Sequence, residues 1–196
     1  MGNLNSEYWS NRYNENQIGW DLGEISPPIK AYIDQLENKN LNILIPGCGL
    51  GHEAEYLFNK GFYNTNVLDF ASEPILNFQN RNPKFPKEQF FIQDFFDHIG
   101  QYDLIIEQTL FCAIDPLLRE KYAKKMLELL KPKGKLVGLL FNKDFQNGPP
   151  FGGNKTEYLT YFSPYFNSIY MENAYNSIKP RQDSEFFIIM TCPKIS

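Results

Sequence analysis

Asn42-Ile43-Leu44-Ile45-Pro46-Gly47-Cys48-Gly49-Leu50-Gly51, followed in register by Val67-Leu68-Asp69, is the stretch on which the fold turns. A short apolar run breaks into three alternate glycines, a helix begins, and an acid stands at the tip of the next strand. That order describes a nucleotide-binding βαβ unit. Glycines let the backbone turn tightly and approach a ligand. The helix N-terminus adds unpaired N–H groups and a positive dipole end. An acid ending the second strand can accept both hydroxyls of a ribose.

The spacing narrows the ligand. Dinucleotide folds favour G-x-G-x-x-G, with the helix start facing a pyrophosphate. This chain has G-x-G-x-G, with His52 and Glu53 where the third glycine of the dinucleotide form falls. An acid there suits a cationic or zwitterionic ligand better than a diphosphate, and S-adenosylmethionine, a sulfonium with an amino group, matches. A plain structural turn is the competing explanation of the glycines alone.

Outward from this unit, strands and helices alternate. Ser26-Pro27-Pro28 reads as an N-cap with early-turn prolines, opening a helix through Ile29, Ile33 and Leu36. Strands are expected at 41–46, 63–69, 90–92, 102–107 and 135–141, and helices at 50–60, 72–80, 116–130 and 155–162. The helix at 116–130 has Leu117, Met126, Leu127 and Leu130 inward, and Lys131-Pro132-Lys133-Gly134 reads as a turn after it. Strands at 165–172 and 185–192 close the chain without a helix between them. The expected fold is α/β: a single Rossmann-like domain over 1–196, with a mainly parallel seven-stranded sheet, one antiparallel edge strand and helices on both faces. Residues 1–25, polar but carrying Trp9, Tyr13 and Trp20, read as an arm over the ligand.

Bulk properties exclude several classes. The 196 residues suit one domain, and 42% hydrophobic and 16% aromatic residues provide for a sizeable core. A net charge of −4 with scattered Lys and Arg argues against nucleic acid as a partner. Cys48, Cys112 and Cys192 form no C-x-x-C pair and read as reduced thiols of a cytoplasmic protein. Met1-Gly-Asn-Leu-Asn-Ser lacks the features of a secretory signal. It matches a loose myristoylation pattern, discounted for want of a polybasic second anchor. No apolar run is long enough to cross a bilayer.

Three segments carry a family resemblance over nearly the whole chain. They are Trp9…Tyr13…Trp20-Asp21, then Ile45 to Glu53, then Tyr102-Asp103-Leu104-Ile105-Ile106-Glu107 through Phe111-Cys112-Ala113-Ile114-Asp115-Pro116, with Gly148-Pro149-Pro150-Phe151 later. The sequence resembles class I S-adenosylmethionine-dependent methyltransferases of the thiopurine methyltransferase superfamily, closest to the halide/thiol branch. It differs from amino-methyltransferases, whose Asn/Asp-Pro-Pro-aromatic motif after the fourth strand is replaced by Glu107-Gln108-Thr109-Leu110.

The resemblance implies roles at matching positions. Trp9, Tyr13 and Trp20 would form a lid stacking near the sulfonium. Gly47 and Gly49 would pass the methionine moiety, and Asp69 would take the ribose hydroxyls. Phe70 would lie on the adenine face, while Asp94 would accept from the adenine amino group, with Phe95 beside it. Glu107 would stand at the methionine end, and Glu107 and Gln108 are the candidate catalytic pair. S-adenosylhomocysteine would be the product, and the partner a small nucleophile (thiol, hydrosulfide, thiopurine or halide) bound by a monomer or weak homodimer. The acceptor pocket is expected near Phe111, Phe141 and Phe151.

Each position also has a structural explanation. The two Trp residues can anchor the arm, Asp94 can cap the turn at Phe95, Glu107 can pair with a Lys, and Cys112 can simply pack. His52 and His98 read as surface or capping residues, and Arg119-Glu120-Lys121 with Lys124-Lys125 as a solvated helix face. Thiopurine-methylating members place Arg where Gln108 stands, and halide/thiol members commonly have Tyr there. The neutral amide argues for a small nucleophile over a thiopurine. Two other functions remain open: a non-catalytic S-adenosylmethionine-binding sensor, and a nicotinamide-dependent oxidoreductase, disfavoured because no Tyr-x-x-x-Lys pair follows.

Overall fold

The strand-forming runs pair into one sheet. In a computed structural model describing residues 4–192, seven strands stand in the order β3-β2-β1-β4-β5-β7-β6. In chain order they are β1 (Ile43–Pro46), β2 (Thr65–Asp69), β3 (Phe90–Ile92), β4 (Tyr102–Gln108), β5 (Leu130–Phe141), β6 (Ser168–Asn173) and β7 (Glu185–Thr191). β1 to β5 are parallel, and β7 runs against both β5 and β6. The antiparallel strand therefore lies at that end of the sheet, with β6 outside it.

Alternation along the strands builds two cores. Leu44, Leu68, Ile105, Leu136 and Ile188 point to one face, where α5 (Arg119–Leu129) and α6 (Lys155–Phe162) cover them with Tyr122, Met126, Tyr158 and Phe162. Ile43, Ile45, Val67, Leu104, Ile106 and Val137 point to the other. There α2 (Pro27–Ile33), α3 (His52–Asn59) and α4 (Ser72–Arg81) supply Ile29, Ile33, Ala54, Leu57, Ile75 and Phe78. Each fully buried side chain of this kind contributes roughly 1.5–3 kcal/mol against remaining in water. Burial on both faces explains why the strands read as unbroken apolar runs.

Order switches between β1 and β4: the chain leaves β3 at one edge and re-enters on the far side of β1. The crevice beyond the carboxyl ends of these two strands is where α/β sheets take ligands.

Three expectations are corrected, and one helix is added. The added helix, α1, spans Ser6–Asn14 within the arm and is capped by the Asn5 side chain, which accepts the Tyr8 N–H at 3.0 Å. Pro116–Leu118 is a 3-10 turn that leaves Leu117 89% exposed rather than inward. Lys131-Pro132-Lys133-Gly134 is absorbed into β5 as an irregularity, since Tyr102 pairs with Leu130 and Leu104 already with Lys135. Lys133 takes φ 67° within it. His98 is buried, bonded to Gln93 and to the Tyr102 hydroxyl, each at 2.7 Å. All three cysteines are free and buried. Among the described residues no helix is long and apolar enough to cross a membrane. Residues 1–3, at the head of the acylation pattern, lie outside the described residues.

Candidate functional site

The glycine turn after β1 is built for close approach. Gly47 and Gly49 hold φ 62° and 52°, the left-handed region that side chains disfavour. A Cβ at Gly47 would stand 3.0 Å from Leu110, and one at Gly49 would stand 3.1 Å from the Tyr13 hydroxyl. The turn is tied to the tip of β2, where the Gly49 N–H donates to Asp69 Oδ2 at 2.9 Å and the Ala71 N–H to Oδ1 at 3.0 Å. Burial raises the Asp69 carboxyl to about 6, against the pull of those amides. Each carboxylate oxygen keeps acceptor capacity beyond its one amide.

The arm is docked over this turn. Trp20 meets Trp9 edge-on at 5.4 Å and Tyr13 at 5.7 Å. Four polar links hold it. The Ser6 hydroxyl donates to the Phe70 carbonyl at 3.0 Å and the Ser10 hydroxyl to Glu73 at 2.6 Å. His52 lies 2.8 Å from Asp21, and Arg181 donates to the Trp20 carbonyl at 2.6 Å. The bond to Asp21 raises the His52 pKa and lowers that of Asp21. Burial, reinforced by the charge of Asp69, keeps Tyr13 a neutral phenol.

These groups enclose a cavity of about 500 Å³, within the usual range for small-molecule sites. Trp9, Tyr13, Trp20, Gly47, Asp69, Phe70, Asp94 and Phe95 all line it. Asp94 also caps the turn at Phe95, accepting the Phe96 N–H at 2.8 Å, so the capping and lining explanations hold together. The far wall is Thr109, Leu110, Cys112, Ala113, Ile114, Pro149 and Pro150. Phe111, Phe141 and Phe151 are not part of it; Phe111 is a core ring packed on Tyr122 and Tyr158. Burial pushes the Cys112 thiol up to about 12.

Glu107 and Gln108 end β4 side by side but face different surroundings. Glu107 is sealed within the sheet at 0% exposure, bonded to the Tyr122 hydroxyl and accepting the Phe111 N–H at 2.9 Å. Burial pushes its carboxyl up to about 7. It braces the segment after β4 and does not face the cavity. Gln108 opens on a small recess beside the cavity, with Cys48, Gly49, Glu53, Trp20 and Asp21. Its Oε1 is buried and has no hydrogen-bond partner. Glu53, whose carboxyl burial raises, lies in the same recess and accepts the Ser26 N–H at 3.2 Å.

Arg12, Thr109 and Asp115 are among the lining residues to which the sequence reading gave no role. Arg12 is the cavity's basic side chain among the described residues, its guanidinium 5.3 Å from the Trp20 ring. Thr109 takes φ 71°, a strained conformation for a β-branched residue. Asp115 caps the turn before α5. Arg12 is spaced with Trp9 and Tyr13 on α1, and Thr109 and Asp115 stand within the segments that carry the family resemblance.

Comparison with known proteins places this geometry. The family model for thiopurine S-methyltransferase matches residues 4–187. "Probable thiol methyltransferase 2" of Arabidopsis thaliana is 28% identical over 94% of this chain and 84% of its own length. "Thiocyanate methyltransferase 1" of Brassica oleracea is 29% identical over 90% and 81%. A didemethyltoxoflavin N-methyltransferase of Burkholderia thailandensis, solved with S-adenosylhomocysteine, superposes with a TM-score of 0.72 at 13% identity. It covers 96% of this chain and 87% of its own.

Proposed function

The chain belongs to the thiopurine S-methyltransferase family, and from that premise we propose that it methylates a small sulfur or halide nucleophile. Family membership makes it an S-adenosylmethionine-dependent methyltransferase, which removes the oxidoreductase alternative. The residues suit that cofactor. Gly47 and Gly49 leave a cradle that side chains would fill, and the buried Gln108 Oε1 is an acceptor without a donor, beside Glu53. An ammonium group answers both.

When bound, S-adenosylmethionine supplies an electrophilic methyl carbon on a positively charged sulfur. Asp69 would hold the ribose hydroxyls, Phe70 and Phe95 the adenine, and Asp94 its amino group. Gln108 and Glu53 would hold the methionine ammonium. Trp9, Tyr13 and Trp20 would cover the sulfonium with electron-rich rings. The chain's remaining work is to place the acceptor and exclude water.

One observation carries the acceptor class: among the described residues, the wall from Thr109 to Ile114 with Pro149 and Pro150 holds no free base, and Asp115, the acid beside it, is engaged as the cap of the turn before α5. Glu107 is turned into the core, and Cys112 is held as a neutral thiol. A wall of this kind favours nucleophiles that are already anionic in water, such as hydrosulfide, thiocyanate or iodide, and takes small thiols in the fraction that solvent has deprotonated. Relatives named for thiol and thiocyanate methylation support this reading.

The test is product analysis with S-adenosylmethionine against a panel of hydrosulfide, small thiols, thiocyanate, iodide and thiopurines. The expected outcome is higher kcat/KM for the small nucleophiles. Preference for a thiopurine, or no transfer to any of them, would overturn it.

A further inference from the structure

Arg119 opens α5 in a run of charges that reads as a solvated face, yet it is 1% exposed. Burying a guanidinium is costly unless acceptors surround it. Its Nη1 donates to Glu157 Oε1 on α6 at 2.7 Å, and its Nη2 to the carbonyls of Phe151 at 3.2 Å and Gly152 at 2.8 Å. The guanidinium lies 4.8 Å from the Phe111 ring and 5.6 Å from that of Tyr158. Its Nε has no partner.

The acceptors say what this cation holds. Two are backbone carbonyls of the loop whose Pro149 and Pro150 wall the cavity. Proline has no N–H, so the tip cannot be anchored by its own amides. The anchors come just after it: Arg119 takes the carbonyls of 151 and 152, and the Phe151 N–H donates to the Cys112 carbonyl at 2.7 Å. The Gly153 N–H then donates to the Lys143 carbonyl at 3.1 Å. The loop is packed to contact, since a Cβ at Gly153 would stand 2.6 Å from Glu157 Oε2.

We propose that Arg119 is a positioning residue for acceptor size: through Phe151 and Gly152 it fixes the Pro149-Pro150 wall at a spacing that admits small nucleophiles and resists bulky ones. Arg119 itself is absent from the cavity lining. The planar fork is needed because its acceptors sit on two elements, and a lysine ammonium, a point charge, cannot span both. This inference rests on the far wall being the acceptor side.

The experiment uses full-length Arg119→Lys, Arg119→Met and Glu157→Gln. It compares hydrosulfide with benzenethiol in steady state, S-adenosylhomocysteine affinity, and amide exchange over residues 151–153. The expected result for Arg119→Lys is exchange at least ~10-fold faster at those amides. The benzenethiol-to-hydrosulfide ratio of kcat/KM should rise at least ~5-fold, mainly through KM for benzenethiol, with cofactor-product affinity within about 2-fold. Glu157→Gln should move the ratio the same way by less, and it carries the test if Arg119→Met does not fold. An unmoved ratio in folded variants, or an equal loss of S-adenosylhomocysteine affinity, overturns the Arg119 assignment alone. A wild type that methylates neither thiol overturns the functional reading and this assignment with it.

Discussion

The Arg181 guanidinium donates to the Trp20 carbonyl at 2.6 Å across 161 residues, so the segment before β7 grips the aromatic arm over the cavity. Arg181 is itself held by Glu185 at 3.3 Å and lies 5.7 Å from the Phe141 ring. The arm is thus a docked element with a defined latch. Arg181→Met combined with Glu185→Gln, which avoids stranding a buried carboxylate, should release it. Hydrogen exchange over residues 17–22 should quicken. Affinity for S-adenosylhomocysteine should fall by up to about 1.5–3 kcal/mol, the scale of one charged hydrogen bond. Calorimetry showing full affinity would mean the latch has no bearing on binding.

Asp69 gives binding a pH limit. Its carboxyl titrates at about 6 because it is buried, and only the ionised form accepts from two hydroxyls. Affinity for S-adenosylhomocysteine should decline as pH falls through about 6. The arm does not add to that loss, because His52, with its pKa raised by Asp21, keeps its charge and its partner on the acid side. Asp69→Ala should weaken binding by roughly 1.5–3 kcal/mol at pH 7.5. A titration flat between pH 5 and 7.5 would show that Asp69 does not carry the ribose.

Glu107 predicts a stability slope of opposite origin. The unfolded carboxyl ionises near 4.5, the folded one at about 7. Between those values the folded state keeps a proton that the unfolded state has released, so stability falls as pH rises through this window. Above about 7 the full cost is present, on the order of 3 kcal/mol. Glu107→Gln should flatten the slope and be relatively more stable at pH 8 than at pH 4.5, as read by urea denaturation. Methyl transfer should persist within several-fold. Loss of transfer in a folded variant would return Glu107 to the reaction.

The parts legible in the sequence are those fixed by local pattern. The apolar runs gave the strands because a strand buried on both faces must be apolar throughout. Gly47 and Gly49 gave the turn because their conformation excludes most other residues. Arg119 and His98 could not be read, since their burial depends on acceptors far along the chain: Phe151, Gly152 and Glu157 for one, Gln93 and Tyr102 for the other. Helix α1 was missed because none of its residues is buried. Trp9 and Tyr13 serve the cavity and not the core, so no core-facing period marks it.

Gln108 separates two explanations of acceptor choice. Read from the sequence, its neutrality disfavours a thiopurine anion, and Gln108→Arg should shift preference toward thiopurines. The structure puts this side chain in the recess with Gly49 and Glu53, away from the wall formed by Cys112, Ala113, Pro149 and Pro150. A guanidinium there would meet Glu53 and crowd the place proposed for the methionine ammonium. Gln108→Arg should therefore weaken S-adenosylhomocysteine binding about 10-fold or more. The thiopurine-to-hydrosulfide ratio of kcat/KM should stay within about 2-fold. Gln108→Ala should also weaken binding, by about 1–3 kcal/mol if its Oε1 accepts a charged donor, with kcat nearly unchanged. A clear rise in the thiopurine ratio for the Arg variant would place the acceptor over the recess and reverse the assignment of the two ends of the cavity.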